Sequence, residues 1–527
     1  MKTGIKLFFD MFSENISEKS KMQCDAFGGR DEYFKYVAEN CDSVEISPVR
    51  ATDDPEYMLY AAKTVNGLGL HFTIHGVLGH ESVFFNPYKL LFKSKLQPLY
   101  NITVHPYEDM EETKRTLAAI CDIARAENYP VRITLENQRY SSEGKLHNLC
   151  RDVAGCVAEI GSPYLYNCFD FGHQMSNALK QGEEFDEVTE QFLSQVRQTH
   201  IHSYDCNSTH FPLYCGSVRL EKNITGLIRH GYDGVLMIEL DHGRYMGKHD
   251  LKKAVVGSIE ALKNAMAQIE GKLRVTEVYK NGYRDAVKNA ASLLDSDKDG
   301  LVALAPSAYI LKLGGTKIAI DMSLCTMPVS EENVKAVADI VSGCDAVIVT
   351  HNHADHFDPA LLSLVSDDVP IYVPDFLSYN KKNVTYVSDG TDISVGDVQI
   401  EFFESAHSAG ENVVPEYGFA AKHNGKHYVF PTDVRCYNAE HKVFHNTEVL
   451  VPHLWLGRRM ALMLTDNNYI EEFAAFVNSF GAKRVLVGHL YDIHREIDDM
   501  WTDIHFDAVK EKIPCCEKIL LGDITEF

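Results

Sequence analysis

Eight short apolar runs alternating with longer amphipathic segments, a length of 527 residues, and a change of pattern after Gly271 together predict an α/β chain of two domains. Eight β/α units in about 270 residues favour a closed (β/α)8 TIM barrel over an open sheet. A doubly wound sheet is the competing arrangement. The predicted strands are Ile5 to Phe9, Ser43 to Ile46, Leu70 to His75, Ile102 to His105, Val131 to Glu136, Tyr164 to Asp170, Thr199 to His202 and Val235 to Glu239. The predicted helices are Asp31 to Glu39, Pro55 to Val65, Pro87 to Leu96, Met110 to Glu127, Leu146 to Ile160, Glu183 to Val196, Leu220 to His230 and His249 to Ile269.

The polar residues fall at the strand ends. His75, His105, Glu136, Asp170, His202 and Glu239 each close a different predicted strand, with His173 and His210 just beyond two of them. A barrel brings these ends to one mouth, where so many ionisable groups facing each other make sense around a metal.

The barrel is expected to span residues 1–270, a linker 271–300 and a second domain 301–527. Tyr283 to Leu294 reads as a charged helix. Asp295-Ser296-Asp297-Lys298-Asp299-Gly300 starts like a calcium-binding loop, but its twelfth position is Pro306, so it reads as a polar turn. Tyr309 to Leu313 and Lys317 to Asp321, joined by Gly314-Gly315-Thr316, read as a hairpin.

Next comes Thr350-His351-Asn352-His353-Ala354-Asp355-His356, after the β-branched run Asp345 to Val349 and before Asp358-Pro359, a cap and first-turn proline. Three imidazoles and a carboxylate at a strand-to-helix corner are costly to bury unless a divalent cation takes their lone pairs. His407, Asp433 and His489 follow, each at a predicted strand end.

The formal charge of −24 opposes a nucleic-acid partner. No apolar stretch reaches spanning length and charges interrupt the first residues, so neither membrane nor export is expected and the location is read as cytoplasmic. Thirteen cysteines without a CxxC pair read as reduced thiols, and Cys515-Cys516 is assigned no function.

On the HxHxDH cluster and its later His, Asp and His, the second domain resembles the metallo-β-lactamase superfamily, which implies an αββα sandwich. The resemblance implies one metal on His351, His353 and His407 and another on Asp355, His356 and His489, with Asp433 bridging; Asp355 is also counted as catalytic. Asp433 follows Pro431-Thr432 where many members have glycine. Ile318-Ala319-Ile320-Asp321 and Gly488-His489-Leu490-Tyr491-Asp492 resemble the L-ascorbate-6-phosphate lactonase branch. The roughly 55 residues between Asp433 and His489 leave no room for a nucleic-acid-processing cap. Arg458 and Arg459 are candidate anion contacts.

Thr134-Leu135-Glu136-Asn137, Asp170-Phe171-Gly172-His173, His202-Ser203-Tyr204-Asp205 and Ile238-Glu239 make the first domain similar to the xylose-isomerase-like barrels. In epimerase members Glu136, Asp170, His202 and Glu239 would hold one ion and the two glutamates would move protons. In endonuclease IV-type members His75, His105, His173 and His210 would complete a trinuclear zinc site, but an aspartate expected there is Ser208.

The expectation is therefore a bifunctional carbohydrate enzyme acting on a small sugar or sugar phosphate. It would pair a lactonase-like hydrolase holding two divalent ions (Zn or Mn) with an isomerase or epimerase holding one to three (Mn, Mg or Zn). The alternatives are a phosphodiesterase or nuclease with a trinuclear zinc barrel, and a chain in which one domain is a non-catalytic scaffold. A homo-oligomer is left open.

Overall fold

The computed structural model describes residues 1–139, 148–182, 184–205, 208–216, 218–408, 414–465 and 467–527. The chain forms two compact units, Met1–Met266 and Ala267–Phe527, and the boundary falls inside the helix Leu251–Glu277. The stretch 271–300, read from sequence as a linker, is mostly helical. A π-helical turn, Val278–Gly282, and the helix Tyr283–Asp295 follow Leu251–Glu277 and belong to the second unit. Among the described residues no helix is long and apolar enough to cross a membrane.

In the first unit eight parallel strands close a barrel: Lys2–Phe8, Ser43–Val49, His71–Gly76, Tyr100–Val104, Val131–Glu136, Leu165–Asp170, Val196–Ile201 and Val235–Ile238. The last pairs with the first from Lys2↔Val235 to Ile5↔Ile238, which closes the ring and rules out an open sheet. Alternation along each strand sorts the residues. Val44, Ile46, Ile102 and Ile133 are fully buried among apolar neighbours, whereas the intervening positions form a polar lumen. Within it Thr103 and Thr134 hydroxyls lie 2.9 Å apart, and Gln198 Nε2 donates to Glu45 Oε2 (3.1 Å) and Thr73 Oγ1 (3.1 Å).

One expected helix is misplaced. The sixth strand runs straight into the helix Phe171–Gln181, because Asp170 caps it by accepting from the His173 amide at 2.6 Å. Within the expected span Glu183 to Val196 only Glu190–Ser194 is helical, and Val196 opens the seventh strand. Glu183 itself, and Leu146 and His147 of the preceding expected helix, lie outside the described residues; that helix is seen as Cys150–Ile160.

The second unit has two seven-stranded sheets. Thr316–Ile320 and Ala346–Ile348 lie central in one, Lys426–Thr432 and Thr447–Pro452 in the other, with Arg484–Val487 next to its edge strand. Leu311, Ile318 and Ile348 from one sheet share a core with Phe402, Phe419 and Phe430 from the other, each worth about 1.5–3 kcal/mol on burial. Phe419 and Phe430 stack with centroids 4.8 Å apart. The polar turn read at Asp295 to Gly300 is such a turn: Asp299 Oδ1 accepts from the Gly314 amide at 2.7 Å.

Candidate metal centres

In the second unit the HxHxDH segment leaves the strand Ala346–Ile348 and precedes the helix Pro359–Leu364, which Asp358 caps. His351 Nδ1 lies 3.1 Å from Thr350 Oγ1, leaving Nε2 only 3.0 Å from His353 Nδ1. His356 Nδ1 lies 2.8 Å from Asp321 Oδ2, leaving Nε2 buried without a hydrogen-bond partner. Asp321, at φ 48°, also accepts from the Thr350 amide and hydroxyl at 2.8 and 2.7 Å.

All seven sequence-predicted residues converge. His351, His353, His407 and Asp433 form one group with ligand atoms close enough to share an ion; His356, Asp433 and His489 belong to a second. Asp355 Oδ2 lies 3.1 Å from His489 Nε2 and 3.9 Å from His356 Nε2. Thr432 stands at φ 60°, so the left-handed conformation that glycine would adopt cheaply is imposed on a threonine before Asp433. At Gly488 an added Cβ would come 2.1 Å from the Tyr309 hydroxyl, which explains the glycine before His489.

Two participants escaped the sequence reading. His453 completes the second group, its Nδ1 2.8 Å from Asp433 Oδ1. It ends the apolar run that follows Thr447, so the strand-end rule applied to the other ligands would have found it. Buried Glu416 accepts from the Asp433 amide at 2.7 Å and has no motif around it.

Both ring nitrogens of His407 and one oxygen of Glu416 are likewise buried and unpartnered. Ligand atoms around a tetrahedral ion at about 2.1 Å stand about 3.4 Å apart, so ring nitrogens 3.0 Å apart with no proton arrangement satisfying all of them fit a divalent cation. Burial, and then neighbouring His356, hold His351 far below the ordinary histidine range, and burial lowers His407 to about 4. Both shifts favour the neutral imidazole, the form that ligates.

The barrel also assembles its predicted set. His202 Nε2 lies 3.0 Å from Asp170 Oδ2, and His173 Nδ1 lies 3.3 Å from both Asp170 Oδ2 and Glu136 Oε1. His75 Nε2 faces His105 Nε2 at 3.0 Å, and His105 Nε2 is 3.4 Å from Glu136 Oε2. His210, at φ 68°, stacks on His202 with centroids 4.1 Å apart and lies 3.7 Å from Glu239. Three of the barrel's clusters, Asp170–His173–His202–His210, His75–His105–Glu136 and Glu45–His75–His200–Glu239, have ligand atoms close enough to hold an ion. A Cβ on Gly172 would come 2.0 Å from the His202 ring, so only glycine lets that imidazole sit there. Asn137 exchanges two hydrogen bonds with the Asp170 backbone, at 2.8 and 3.0 Å. Ser208 Oγ lies 3.5 Å from Arg244.

Lys6, Glu45 and His200 were missed. Lys6 Nζ donates to Glu239 Oε1 at 3.0 Å, and fully buried His200 and Glu45 pair at 3.0 Å. The signal was a charge inside an apolar strand, and a histidine two residues before His202 on the same strand face.

Residues 70–265 match the family described as Xylose isomerase-like TIM barrel, and residues 320–490 the Beta-lactamase superfamily domain. The chain joins a xylose isomerase-like barrel to a beta-lactamase-fold domain. A metal-dependent hydrolase of Koribacter versatilis is 23% identical over 158 residues, 29% of this chain and 66% of that protein, just under two thirds. An L-ribulose 3-epimerase structure aligns at 14% identity and TM-score 0.35, over 51% of this chain and 97% of its own. A metallo-beta-lactamase fold protein of Bacillus subtilis aligns at 18% and 0.31, over 42% and 92%.

Beside the beta-lactamase-fold centre lies a cleft of about 410 Å³ lined by His353, Asp355, Arg435, Trp455, Arg458 and Arg495, among others. Arg495 lies 3.4 Å from Asp355 and is held by Asp492 at 2.6 Å. Arg459 does not line this cleft; its amide donates to Asp499, so only one of the two predicted arginines is at the site. A second cavity, of about 480 Å³, reaches Lys6, His75, His105 and Glu239 of the barrel.

Proposed function

We propose that the beta-lactamase-fold domain is a two-ion hydrolase of a small anionic substrate, in the class of sugar or sugar-phosphate lactones and esters. The observation that carries this is the set of buried, mutually unsatisfied ring nitrogens and carboxylates beside a cleft with three arginines. His351, His353 and His407 would hold one ion and Asp355, His356 and His489 the other, with Asp433 between them. Bound divalent ions make water acidic enough to attack at neutral pH and stabilise the charge that develops. Thr350 and Asp321 aim the rings of His351 and His356. Arg435 and Arg458 would grip a phosphate or carboxylate, with Trp455 offering a face to a sugar. The zinc- or manganese-loaded full chain is to be screened against sugar-phosphate lactones, phosphate esters and their uncharged counterparts. Hydrolysis is expected only of the anionic set, and equal rates on the uncharged set would overturn the substrate class.

For the barrel we propose a metal-dependent sugar isomerase or epimerase. Glu136 closes strand five and Glu239 follows strand eight; one oxygen of each lies within 3.2 Å of His200 Nδ1, and Lys6 holds the other oxygen of Glu239. Such a pair can remove and return a proton at one substrate carbon. Replacing either with Gln keeps an oxygen ligand but no base, so label uptake from deuterated water into a ketose phosphate is expected to vanish with most metal retained. The competing reading, a trinuclear phosphodiesterase, is favoured by the clusters around His105 and His210. It would show as no exchange across a ketose panel together with loss of an ion and of phosphodiesterase activity in His105→Ala. Oligonucleotides are expected to bind weakly at physiological salt, given the charge of −24. The twelve described cysteines carry no disulfide, in keeping with the cytoplasmic location we propose.

A further inference from the structure

Three buried atoms of the barrel face one another without a hydrogen bond: His200 Nδ1, Glu136 Oε2 and Glu239 Oε2. His200 Nδ1 is 2.8 Å from the first oxygen and 3.2 Å from the second, yet neither contact has hydrogen-bond geometry. An imidazolium paired with a carboxylate would aim its N–H at one oxygen. Atoms converging at these separations without such aim are what the shell of a divalent ion at about 2.0–2.2 Å leaves behind.

The other nitrogen of His200 explains why Nδ1 is free to ligate. Nε2 lies 3.0 Å from Glu45 Oε2 in good geometry, so Nε2 keeps its proton there and Nδ1 is the nitrogen that would give up its own to an ion. His75 packs on the same carboxylate without a hydrogen bond: its Nδ1 lies 3.4 Å from Glu45 Oε1, both atoms unpartnered, while its Nε2 points at His105 Nε2 and Glu136 Oε2 (3.0 and 3.8 Å). This carboxylate, itself held by Gln198 and Thr73 at 3.1 and 3.4 Å, thus sets the His200 ring so that Nδ1 faces the metal side. Lys6 stands on the far oxygen of Glu239, at 3.0 Å, and His75 Nδ1 is also 3.7 Å from that oxygen.

We infer that His200 is a further metal ligand of the barrel, through Nδ1, and that Glu45 is the positioning carboxylate that orients His200 towards the ions. None of the four barrel motifs contains either residue. The inference rests on the reading of Glu136 and Glu239 as ion ligands.

The test uses the full chain, stripped of metal and titrated with cobalt(II). His200→Gln places an amide N–H where Nε2 was, so it can still donate to Glu45, but it removes Nδ1. It is expected to weaken one ion at least tenfold and to alter the visible spectrum. Glu45→Gln is expected to keep the number of ions and to weaken binding about 10- to 100-fold. A His200→Gln chain with wild-type affinity and spectrum would overturn the assignment, since a purely structural histidine predicts that result. Melting of the ion-free proteins checks folding, and Glu45→Gln decides if His200→Gln does not fold: unchanged affinity overturns, weakened affinity supports. Glu136→Ala separates the two levels. If it too leaves every ion in place, the barrel reading itself has failed; if it loses ions while His200→Gln does not, only this inference has.

Discussion

The two centres contain the same inventory and treat it in opposite ways. The barrel brings together His75, His105, His173, His200, His202 and His210 with Glu45, Glu136, Asp170 and Glu239; the beta-lactamase-fold domain brings together His351, His353, His356, His407, His453 and His489 with Asp321, Asp355, Glu416 and Asp433. In the barrel, carboxylates are interleaved with rings. Against the cost of burial, the charges of Asp170 and Glu136 raise His173 to about 9, neighbouring glutamates push His75 up, and Cys168 followed by Glu45, Glu239 and Glu136 pushes His200 up. In the other centre the rings pack on each other, with His351 centroids 4.1 to 5.0 Å from those of His356, His353 and His407. Burial wins there, and His351, His353, His407 and His453 all move down.

The exceptions obey the same rule. His210, stacked on His202, falls; His356, between Asp321 and Asp433, rises. Arrangement, not composition, decides whether an imidazole waits as a neutral ligand or as a protonated one that must release its proton to a metal.

The largest expected effect comes from removing the carboxylate shared by both groups of the second centre. Asp433→Ala should strip ions from that domain and lower hydrolysis by about a thousandfold or more, while the barrel keeps its own ions. Elemental analysis beside a kinetic assay reads both, and a parallel loss from the barrel would break the independence of the centres.

Next is pH. The raised pKa values in the barrel mean that metal must displace protons there at neutral pH and below, so affinity climbs as pH rises towards about 9. In the other centre the lowered values keep His351, His353, His407 and His453 deprotonated well below neutral pH, His407 until pH falls towards about 4, and only His356 is raised. Dialysis against a weak chelator at steps from pH 8 to 5 is expected to empty the barrel first, and the reverse order would overturn the comparison.

A smaller effect separates the two arginines. Arg458→Ala should raise KM for an anionic substrate about 10- to 100-fold, the size of one lost charge-assisted hydrogen bond, whereas Arg459→Ala should leave it within about twofold. The smallest effect is at Thr432. Thr432→Gly relieves a left-handed residue but adds backbone entropy to the unfolded chain, so stability should move by under about 1 kcal/mol with ion content unchanged. A thermal melt measures it.

Local order along the chain determined most of what could be read from it. Apolar runs at regular intervals specified the barrel strands, and Asp358-Pro359 after His356 specified a strand-to-helix corner. Both depend on residues a few positions apart, which is the range over which periodicity and capping act. The helix after the sixth strand was misjudged because Asp170 is at once a candidate ligand and a helix cap, and its chemistry hid its structural signal.

Tertiary closure decided the rest. Glu45 and His200 lie 155 positions apart, and no spacing rule connects them. Only when the first and eighth strands pair does the lumen become a closed space in which a buried glutamate on strand two must find its partner on strand seven. His453 and Glu416 likewise acquire meaning only once the strands Tyr417–His423, Lys426–Thr432 and Thr447–Pro452 lie side by side and bring both residues to Asp433. A buried polar atom has to be satisfied by whatever the fold places beside it, and that neighbour is set by the sheet, not by the sequence around either residue.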